Sequence, residues 1–249
     1  MYDIVYPLKK QENNLDLLYS LRSLAKFGGE YGKVWIVGYC PKWIKNVECV
    51  PVEQTKDKWL NTRRNWETVC GRKDLSSDFI LMNDDFILTR PVEDWAEVSN
   101  CYLGTLSERA EHYKNSGVEL SRWRRGFEFN DELLKSLKVE SPLNYEYHGP
   151  MLMNKVHRRG LFRLKGIKSY AESSDPLLFT RSLYGNLYPR ENPRQIRDIK
   201  FIADAFNFAE LTENPFFSVA DEIIGNNARC PHLNCYLRTQ FPHKSRFEE

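Results

Sequence analysis

The sequence predicts an α/β fold in which a mostly parallel central sheet has helices on both faces. Short apolar runs of strand length alternate with segments of helical periodicity through the first hundred residues. Glycine and proline separate these segments, as expected where the chain turns. The predicted strands are residues 3–6, 34–37, 47–52 and 79–82.

Helices are predicted where apolar residues recur every three or four positions. The first spans residues 15–27 and ends at a glycine pair. Its predicted buried face consists of Leu17, Leu18, Leu21 and Leu24. Further helices are predicted at residues 62–69, 131–137 and 196–211, with loop and strand at 141–153. The helix at 196–211 is expected to bury Ile199, Ile202, Phe206 and Phe208.

A chain of this length buries a sizeable core and allows one large domain, or one domain with a small appendage. A single domain of residues 1–249 is expected. Hydrophobic residues make up 41% and charged residues 28%, which is typical of a globular protein and excludes a disordered or fibrous one. Residues 189–194 form a proline-containing connection and a candidate internal seam. The polar tail from Pro231 is expected to be extended or partly ordered.

Charge and cysteine content limit the class of partner and the cellular compartment that are expected. The formal net charge of +2 lacks the strongly basic balance typical of nucleic-acid binding, although basic residues cluster at 122–125 and 157–168. These clusters are interpreted as solvated faces, with phosphate binding as the alternative. Six cysteines without a C-x-x-C pair indicate reduced thiols. Without a signal peptide or an apolar run of membrane-spanning length, a cytoplasmic protein is expected.

Asn83, Asp84 and Asp85 directly follow the predicted strand at 79–82. Open α/β sheets bind ligands beyond the carboxyl ends of their strands. Adjacent carboxylates repel each other and are costly to bury, so a divalent cation such as Mg²⁺ or Mn²⁺ is the natural partner. Such a cation neutralises a diphosphate leaving group. The alternative is that the two acids cap a turn or a helix.

The strand, the acidic triplet and the apolar Phe86-Ile87 together resemble the D-x-D element of GT-A glycosyltransferases, whose fold is Rossmann-like. Asn83 takes the place of the first Asp of that element, and Asp85 takes the place of the second. The resemblance implies that Asp85 is the metal ligand. It also implies that Asn83 and Asp84 face the donor ribose or surround the metal site.

Several segments read in order resemble the Stealth family, which includes sugar-phosphate transferases of bacterial capsule synthesis and lysosomal-enzyme N-acetylglucosamine-1-phosphotransferase. The matching segments are DIVY at 3–6, LYSLRS at 18–23, VWIV at 34–37, PKW at 41–43, FILMNDDF at 79–86, HGP at 148–150, FTRS at 179–182 and, loosely, FSVAD at 217–221. The family usually continues its opening as T-W-V-D-G-S-D, whereas this chain has PLKK at 7–10. Transfer of a sugar and transfer of a sugar phosphate therefore both stay open.

The resemblance implies roles for residues whose ordinary interpretation is structural. The candidate catalytic residues are Glu67, His148 and Asp221, and the candidate donor-binding residues are Asp3, Arg64, Asn83, Asp84 and Arg181. A positioned carboxylate or imidazole transfers protons, and a guanidinium binds phosphate through its planar donors. The alternatives are a strand-end acid for Asp3, surface charges for Glu67 and Arg64, a loop histidine, a surface ion pair for Arg181 and a helix-start acid for Asp221.

The sequence thus predicts a metal-dependent transferase that uses a nucleotide-sugar donor, expected to be UDP-linked, and a glycan or other hydroxyl acceptor. Bacterial surface-glycan synthesis is one setting, and sugar modification of viral DNA bases in an infected bacterium is another. Nucleic acid therefore stays a possible partner. A catalytically silent binding module is the alternative from a different class.

Overall fold

The computed structural model describes residues 1–161, 163–164, 167, 175–202, 211, 214–220 and 223–249, excluding the side chain of Trp59. The chain divides into two units. Unit 1 comprises Met1–Ser99, His148–Met153 and Arg197–Glu249, and unit 2 comprises Asn100–Tyr147 and Asn154–Ile196. The expectation of one catalytic domain with a seam at 189–194 stays a prediction.

Unit 1 carries most of the strands. They are β1 (Asp3–Leu8), β2 (Val34–Gly38), β3 (Glu48–Pro51), β4 (Asp78–Leu81), β5 (Phe86–Leu88), β7 (Met151–Asn154, whose last residue belongs to unit 2), β9 (Lys200–Phe201) and β10 (Phe216–Val219). Its helices are α1 (Leu15–Phe27), α2 (Lys58–Cys70), α3 (Trp95–Val98) and α8 (Pro231–Gln240). The predicted mixed α/β class is confirmed.

The main sheet has five strands in the order β3-β2-β1-β4-β7. Strand β1 pairs in parallel with both β2 and β4, and β2 pairs in parallel with β3. Strands β1 and β2 are apolar and almost wholly buried, as parallel strands covered on both faces are. After β1, strands β2 and β3 are added on one side of β1, and β4 then pairs on its other side. The switch point for ligand binding therefore lies between the carboxyl ends of β1 and β4.

A second sheet of three strands has the order β5-β10-β9. Strand β10 is antiparallel to β5 and parallel to β9. Beneath this sheet lies an apolar cluster in which Phe217 and Val219 of β10 pack with Leu233 and Leu237 of α8. Because β5 follows β4 after only a short turn, that turn connects the two sheets.

Unit 2 is mainly helical, with α4 (Leu106–Asn115), α5 (Arg122–Ser136), α6 (Lys155–Leu161), α7 (Thr180–Leu187) and a small sheet of β6 (Cys101–Tyr102) and β8 (Arg194–Gln195). Thr105 and Glu108 form a capping box at the start of α4. Trp123 and Phe127 of α5 pack against Phe179, with ring centroids 4.4 and 4.7 Å from it.

Two sequence expectations differ from the structure. The helix predicted at residues 196–211 is wrong for its first part, because β9 lies there and residues 203–210 are outside the described part of the chain. Ile199 and Phe201 are buried whereas Ile202 is 64% exposed, which is the two-residue alternation of a strand. Backbone pairing with β10 therefore overrides the helical spacing.

The tail from Pro231, expected to be extended or partly ordered, begins with helix α8. Pro231 occupies the first helical turn, where its missing N–H costs nothing. Leu233 and Leu237, four residues apart, are fully buried in the apolar cluster. Within the described residues, no helix has both the length and the apolarity needed to cross a membrane.

Gly38 ends β2 at the carboxyl edge of the main sheet with φ +112°, a conformation that residues with a Cβ rarely adopt. A Cβ at this position would lie 2.4 Å from the carbonyl oxygen of Leu8 and 2.8 Å from Nδ2 of Asn65. The close approach of β1, β2 and α2 at this edge therefore requires glycine.

We expect Gly38→Ala to lower the free energy of unfolding by about 1–2 kcal/mol for the left-handed backbone and by roughly 1–3 kcal/mol more for the steric conflict. The matched control is Gly225→Ala, with φ +88° and only the end of the Leu15 side chain close by. This control should lose only the about 1–2 kcal/mol that the left-handed backbone costs. Urea denaturation of both variants measures the difference, and equal losses would contradict the steric argument.

Candidate functional site

The turn Asn83–Asp85 leaves the main sheet at the carboxyl end of β4 and enters the second sheet at β5. The backbone N–H of Met82 donates to the carbonyl of Val5 in β1, at 2.9 Å, which holds the start of the turn beside the switch point. The N–H of Phe86 donates to the carbonyl of Asn83, at 3.3 Å, and closes the turn. The acidic residues thus lie where the sequence predicted, beyond a buried parallel strand.

Asp85 is a poorly hydrated carboxylate with another carboxylate as its chain neighbour. Its side chain is 15% exposed. Burial, with the charge of Asp84 as the second cause, raises the pKa of Asp85 to about 7. Lys200 and His148 counteract this increase, and Nζ of Lys200 lies 4.0 Å from Oδ2 of Asp85. The ionised form of Asp85 is therefore undercompensated by the protein's own charges.

His148 is held by Asp198 through two hydrogen bonds. The backbone N–H of His148 donates to Oδ1 of Asp198 at 2.9 Å, and Nδ1 of the imidazole lies 2.6 Å from Oδ2. Burial alone would raise the pKa of Asp198, but the hydrogen bonds and charge of His148 lower it below its ordinary value. The histidine side chain is 33% exposed and thus reachable from solvent.

Gly149 lets the chain after His148 pass against the second sheet. A Cβ on this residue would lie 2.1 Å from the ring of Phe216 in β10. Any side chain larger than hydrogen would therefore displace the segment that carries His148. The glycine of the predicted HGP element thus has a packing role that its sequence alone does not show.

Asp198 and Lys200 were not among the residues predicted for the site. The predicted helix separated them, since residues two apart in a helix point in different directions, whereas in an extended chain they share one side. Lys200 starts β9, and Asp198 lies two residues before it. The N–H of Ser218 in β10 donates to the carbonyl of Ile199, between the two, at 2.9 Å. The signal that could have found them is the alternation of Asp198 and Lys200 with the buried Ile199 and Phe201.

Asp3 lies at the opposite edge of the main sheet. It starts β1, and because β1 and β4 are parallel, its position is at the amino edge, beside Phe79. Its carboxylate accepts hydrogen bonds from the backbone N–H of Lys33 at 2.8 Å, Nε1 of Trp35 at 3.0 Å and the backbone N–H of Ser76 at 2.9 Å. These contacts hold strand starts together, and the structure does not bring Asp3 to the acidic turn.

Glu67 and Arg64 are exposed on α2. Oε1 of Glu67 pairs with Nε of Arg63 at 2.9 Å, four residues earlier, and the Glu67 side chain is 48% exposed. Such a pair is typical of a solvated helix face. The roles predicted for Glu67 and Arg64 stay predictions.

Arg181 belongs to unit 2, in the first turn of α7. Its Nε donates to the carbonyl of Tyr145 at 3.2 Å, and its guanidinium lies 4.7 Å from the ring centroid of Tyr147. Its predicted phosphate contact stays a prediction. Asp221, the third candidate catalytic residue, lies outside the described residues.

The comparisons with known proteins concern the fold. The chain is similar to the crystal structure of the galactosyltransferase LgtC with donor and acceptor sugar analogues, with a TM-score of 0.50, 10% sequence identity and coverage of 98% of each chain. The glycosyltransferase GlyE of Streptococcus pneumoniae TIGR4 has a TM-score of 0.39 and 10% identity, over 79% of this chain and 45% of that one. No family model matches the chain, and no curated protein matches it in sequence.

The fold is of the GT-A type. At 10% identity the likeness to LgtC supports the architecture alone, and it spans the chain almost end to end. It confirms the predicted GT-A-like arrangement of a mostly parallel sheet with helices. The residues of the acidic turn and their partners therefore carry the functional argument.

The raised pKa of Asp85 predicts a pH dependence of stability without added metal. Between its ordinary value of 3.8 and about 7, the native state holds a proton that the unfolded state has lost. This contribution to stability is therefore lost as the pH rises through that window, at up to about 1.4 kcal/mol per pH unit. We expect Asp85→Asn to remove this part of the pH dependence and to be more stable than the wild type at about pH 8.

Chemical denaturation at several pH values, with a chelator present, measures the difference between the variant and the wild type. The matched control is Asp74→Asn, a surface carboxylate whose pKa is lowered by its hydrogen bond with Arg72. This control should run parallel to the wild type above about pH 5. Parallel curves for Asp85→Asn would show that Asp85 has an ordinary pKa.

Proposed function

We propose that the protein is a metal-dependent transferase that moves a sugar, or a sugar-1-phosphate, from a nucleotide-sugar to a hydroxyl acceptor. The observation that carries the proposal is the undercompensated carboxylate of Asp85 at the switch point of a GT-A fold. Lys200 and the His148–Asp198 pair belong to the same charged cluster. Such a fold alone hosts many functions, so these residues are the support.

The residues of the turn fit a divalent cation. The two neighbouring carboxylates of Asp84 and Asp85 offer the oxygen ligands that Mg²⁺ and Mn²⁺ prefer. In the described part of the chain, no three His, Cys, Asp or Glu side chains form a complete metal-binding group. A cation on the two carboxylates would take its other ligands from phosphate oxygens and water. When bound, it would neutralise the charge of the departing phosphate group.

The chain's own residues supply binding and proton transfer in this proposal. Asp85 holds the metal, and Asn83 and Asp84 contact the donor ribose or surround the metal site, as the resemblance to the D-x-D element implies. The Lys200 ammonium neutralises phosphate charge, which stabilises developing negative charge in a poorly hydrated site. His148 accepts the proton of the attacking hydroxyl.

The acceptor proposed is a glycan or another hydroxyl compound, in line with the resemblance to the Stealth family and with the fold shared with LgtC. In unit 2 two arginines of the basic segment at residues 122–125 are engaged locally. Nη1 of Arg124 donates to the carbonyl of Glu119 at 2.5 Å, and Nη2 of Arg125 pairs with Asp175 at 2.5 Å. These contacts favour a solvated surface, and the proposal accordingly does not extend to a DNA acceptor.

The donor is testable by ligand-dependent stability. We expect a nucleotide-sugar to raise the melting temperature only with Mn²⁺ or Mg²⁺ present, because a ligand of the native state stabilises it in proportion to occupancy. Asp85→Ala should abolish this shift, and the surface variant Asp74→Asn should retain it. If no nucleotide-sugar stabilises the protein with metal present, the proposal is wrong. Binding without turnover would instead indicate a silent binding module.

The nucleotide released from a cleaved donor identifies the transferred group. A nucleoside diphosphate product means that the sugar alone has moved, whereas a monophosphate product means that the sugar phosphate has moved. Chromatography of the nucleotides after incubation with donor and acceptor makes the distinction. An intact donor with every acceptor class would contradict a transferase.

Lys200→Met tests the phosphate contact, since methionine keeps an unbranched chain and removes the charge. A hydrogen bond to a charged group contributes about 1.5–3 kcal/mol, so we expect the donor KM to rise roughly 10- to 100-fold. The matched control is Lys33→Met, which removes a surface ammonium paired with Glu48 at 3.0 Å. Steady-state kinetics with varied donor measures both variants. An unchanged donor KM for Lys200→Met would exclude the contact.

A further inference from the structure

The carboxylate of Asp198 contacts two nitrogen atoms of His148, a residue 50 positions earlier in the sequence. Oδ1 accepts the backbone N–H of His148 at 2.9 Å, and Oδ2 lies 2.6 Å from the Nδ1 atom of its ring. The two contacts fix the backbone position and the ring orientation together. Neither Asp198 nor this pairing follows from the sequence motifs.

An ionised carboxylate only accepts hydrogen bonds. The Nδ1 atom of His148 therefore carries a hydrogen, and in the neutral ring the lone pair is on Nε2. The imidazole side chain keeps 33% exposure although Nδ1 faces Asp198, so the rest of the ring stays reachable. The pairing thus selects one tautomer and leaves Nε2 as the basic atom.

We propose that Asp198 is a positioning residue that holds His148 in the Nδ1–H tautomer and thereby presents Nε2 as the base toward the acceptor hydroxyl. The proposal rests on the transferase function given above. Asp198 itself touches the histidine and not the reacting atoms.

In the transfer step, His148 takes up the proton that the acceptor hydroxyl loses. The hydroxyl proton of the acceptor passes to the lone pair of Nε2, and the acceptor oxygen forms the new bond to the transferred group. The electron pair of the broken donor bond leaves with the nucleotide. The ring, now an imidazolium, is stabilised by the negative charge of Asp198, as in other carboxylate–histidine pairs.

Three groups around the pair hold it in this arrangement. Lys200 lies two residues after Asp198 on β9, and its charge helps to keep the Asp198 carboxylate ionised. The main chain between them is paired with β10, since the N–H of Ser218 donates to the carbonyl of Ile199. On the histidine side, Gly149 packs directly on the Phe216 ring.

The variant Asp198→Asn is expected to change the tautomer of His148 while it keeps the contact to the His148 backbone. The amide oxygen of asparagine still accepts the backbone N–H of His148, while its NH₂ group donates toward Nδ1. The lone pair then moves to Nδ1 and the hydrogen to Nε2, so the base is lost while the loop is retained. General-base catalysis contributes about 10²–10⁴-fold, so we expect kcat to fall within that range with the donor KM nearly unchanged.

The decisive readout is the tautomer, which a merely structural role would not change. The protein contains five histidines, and ¹⁵N labelling of histidine with long-range ¹H–¹⁵N correlation distinguishes the two ring nitrogens of each. His148→Gln assigns the signals of His148 by their disappearance. At a pH where the ring is neutral, we expect a protonated Nδ1 and an unprotonated Nε2 in the wild type, and the reverse in Asp198→Asn. The surface variant Asp74→Asn should retain the wild-type pattern and kcat.

A wild-type His148 with its hydrogen on Nε2, or a tautomer unaffected by Asp198→Asn, would overturn the proposal. A reversed tautomer with unchanged kcat would overturn it as well, because the histidine would then have no basic role. Failure of the transferase function is distinguishable, since the wild type would then transfer no group while the spectra still report the tautomer. A melting curve of each variant verifies that it is folded.

Discussion

The poorly hydrated carboxylate of Asp85 is the constraint around which the rest of the site is arranged. Its charged form is poorly hydrated, has Asp84 as its chain neighbour and has the ammonium of Lys200 at 4.0 Å. A protein keeps such a group only where another cation or a proton compensates it. The fold places it at the switch point of the main sheet, where a ligand can approach.

The fold produces this arrangement by joining two sheets at one short turn. Strand β4 ends the main sheet at the turn Asn83–Asp85, and β5 continues directly into the second sheet. Because β10 pairs with both β5 and β9, the residues of β9 are brought to the same junction. The carbonyl of Asp85 itself accepts the N–H of Val219 in β10, at 3.2 Å. Backbone hydrogen bonds thus position the charged side chains.

The first half of the fold could be predicted because its signals are local. Helix α1 spans Leu15–Phe27 as predicted, and the apolar runs of β1, β2 and β4 are buried. A strand that forms only two residues of pairing, as β9 does, carries a much shorter signal, the alternation of Asp198 and Lys200 with Ile199 and Phe201. Its apolar residues matched a helical period, and only the pairing with β10 decides between the two structures. Helix α8 was missed for a related reason, since its buried residues are only Leu233, Asn234 and Leu237.

The residues of the candidate site likewise fall into those with a local sequence signal and those without one. Asp85 and His148 could be found because each stands in a motif or at the end of an apolar run. Asp198 and Lys200 lay within a segment whose predicted helix would have turned them apart. Asp3 is the opposite case, since an acid in a motif was assigned to the donor, whereas the parallel strands place it at the amino edge. Its donor contact stays a prediction. Asp3 and Asp85 are both acids near strand ends, and they differ in whether that end is the amino end of β1 or the carboxyl end of β4.

The proposed function depends on a divalent cation that Asp85 would hold and that would neutralise phosphate charge of the donor. The most direct measurement is a crystal structure of the protein grown with Mn²⁺ and a nucleoside diphosphate, with data collected where manganese scatters anomalously. We expect an anomalous peak bonded to the Asp85 carboxylate and to the diphosphate. An ordered nucleotide without a manganese peak at Asp85, or a peak bound by other residues, would contradict the proposed role of Asp85.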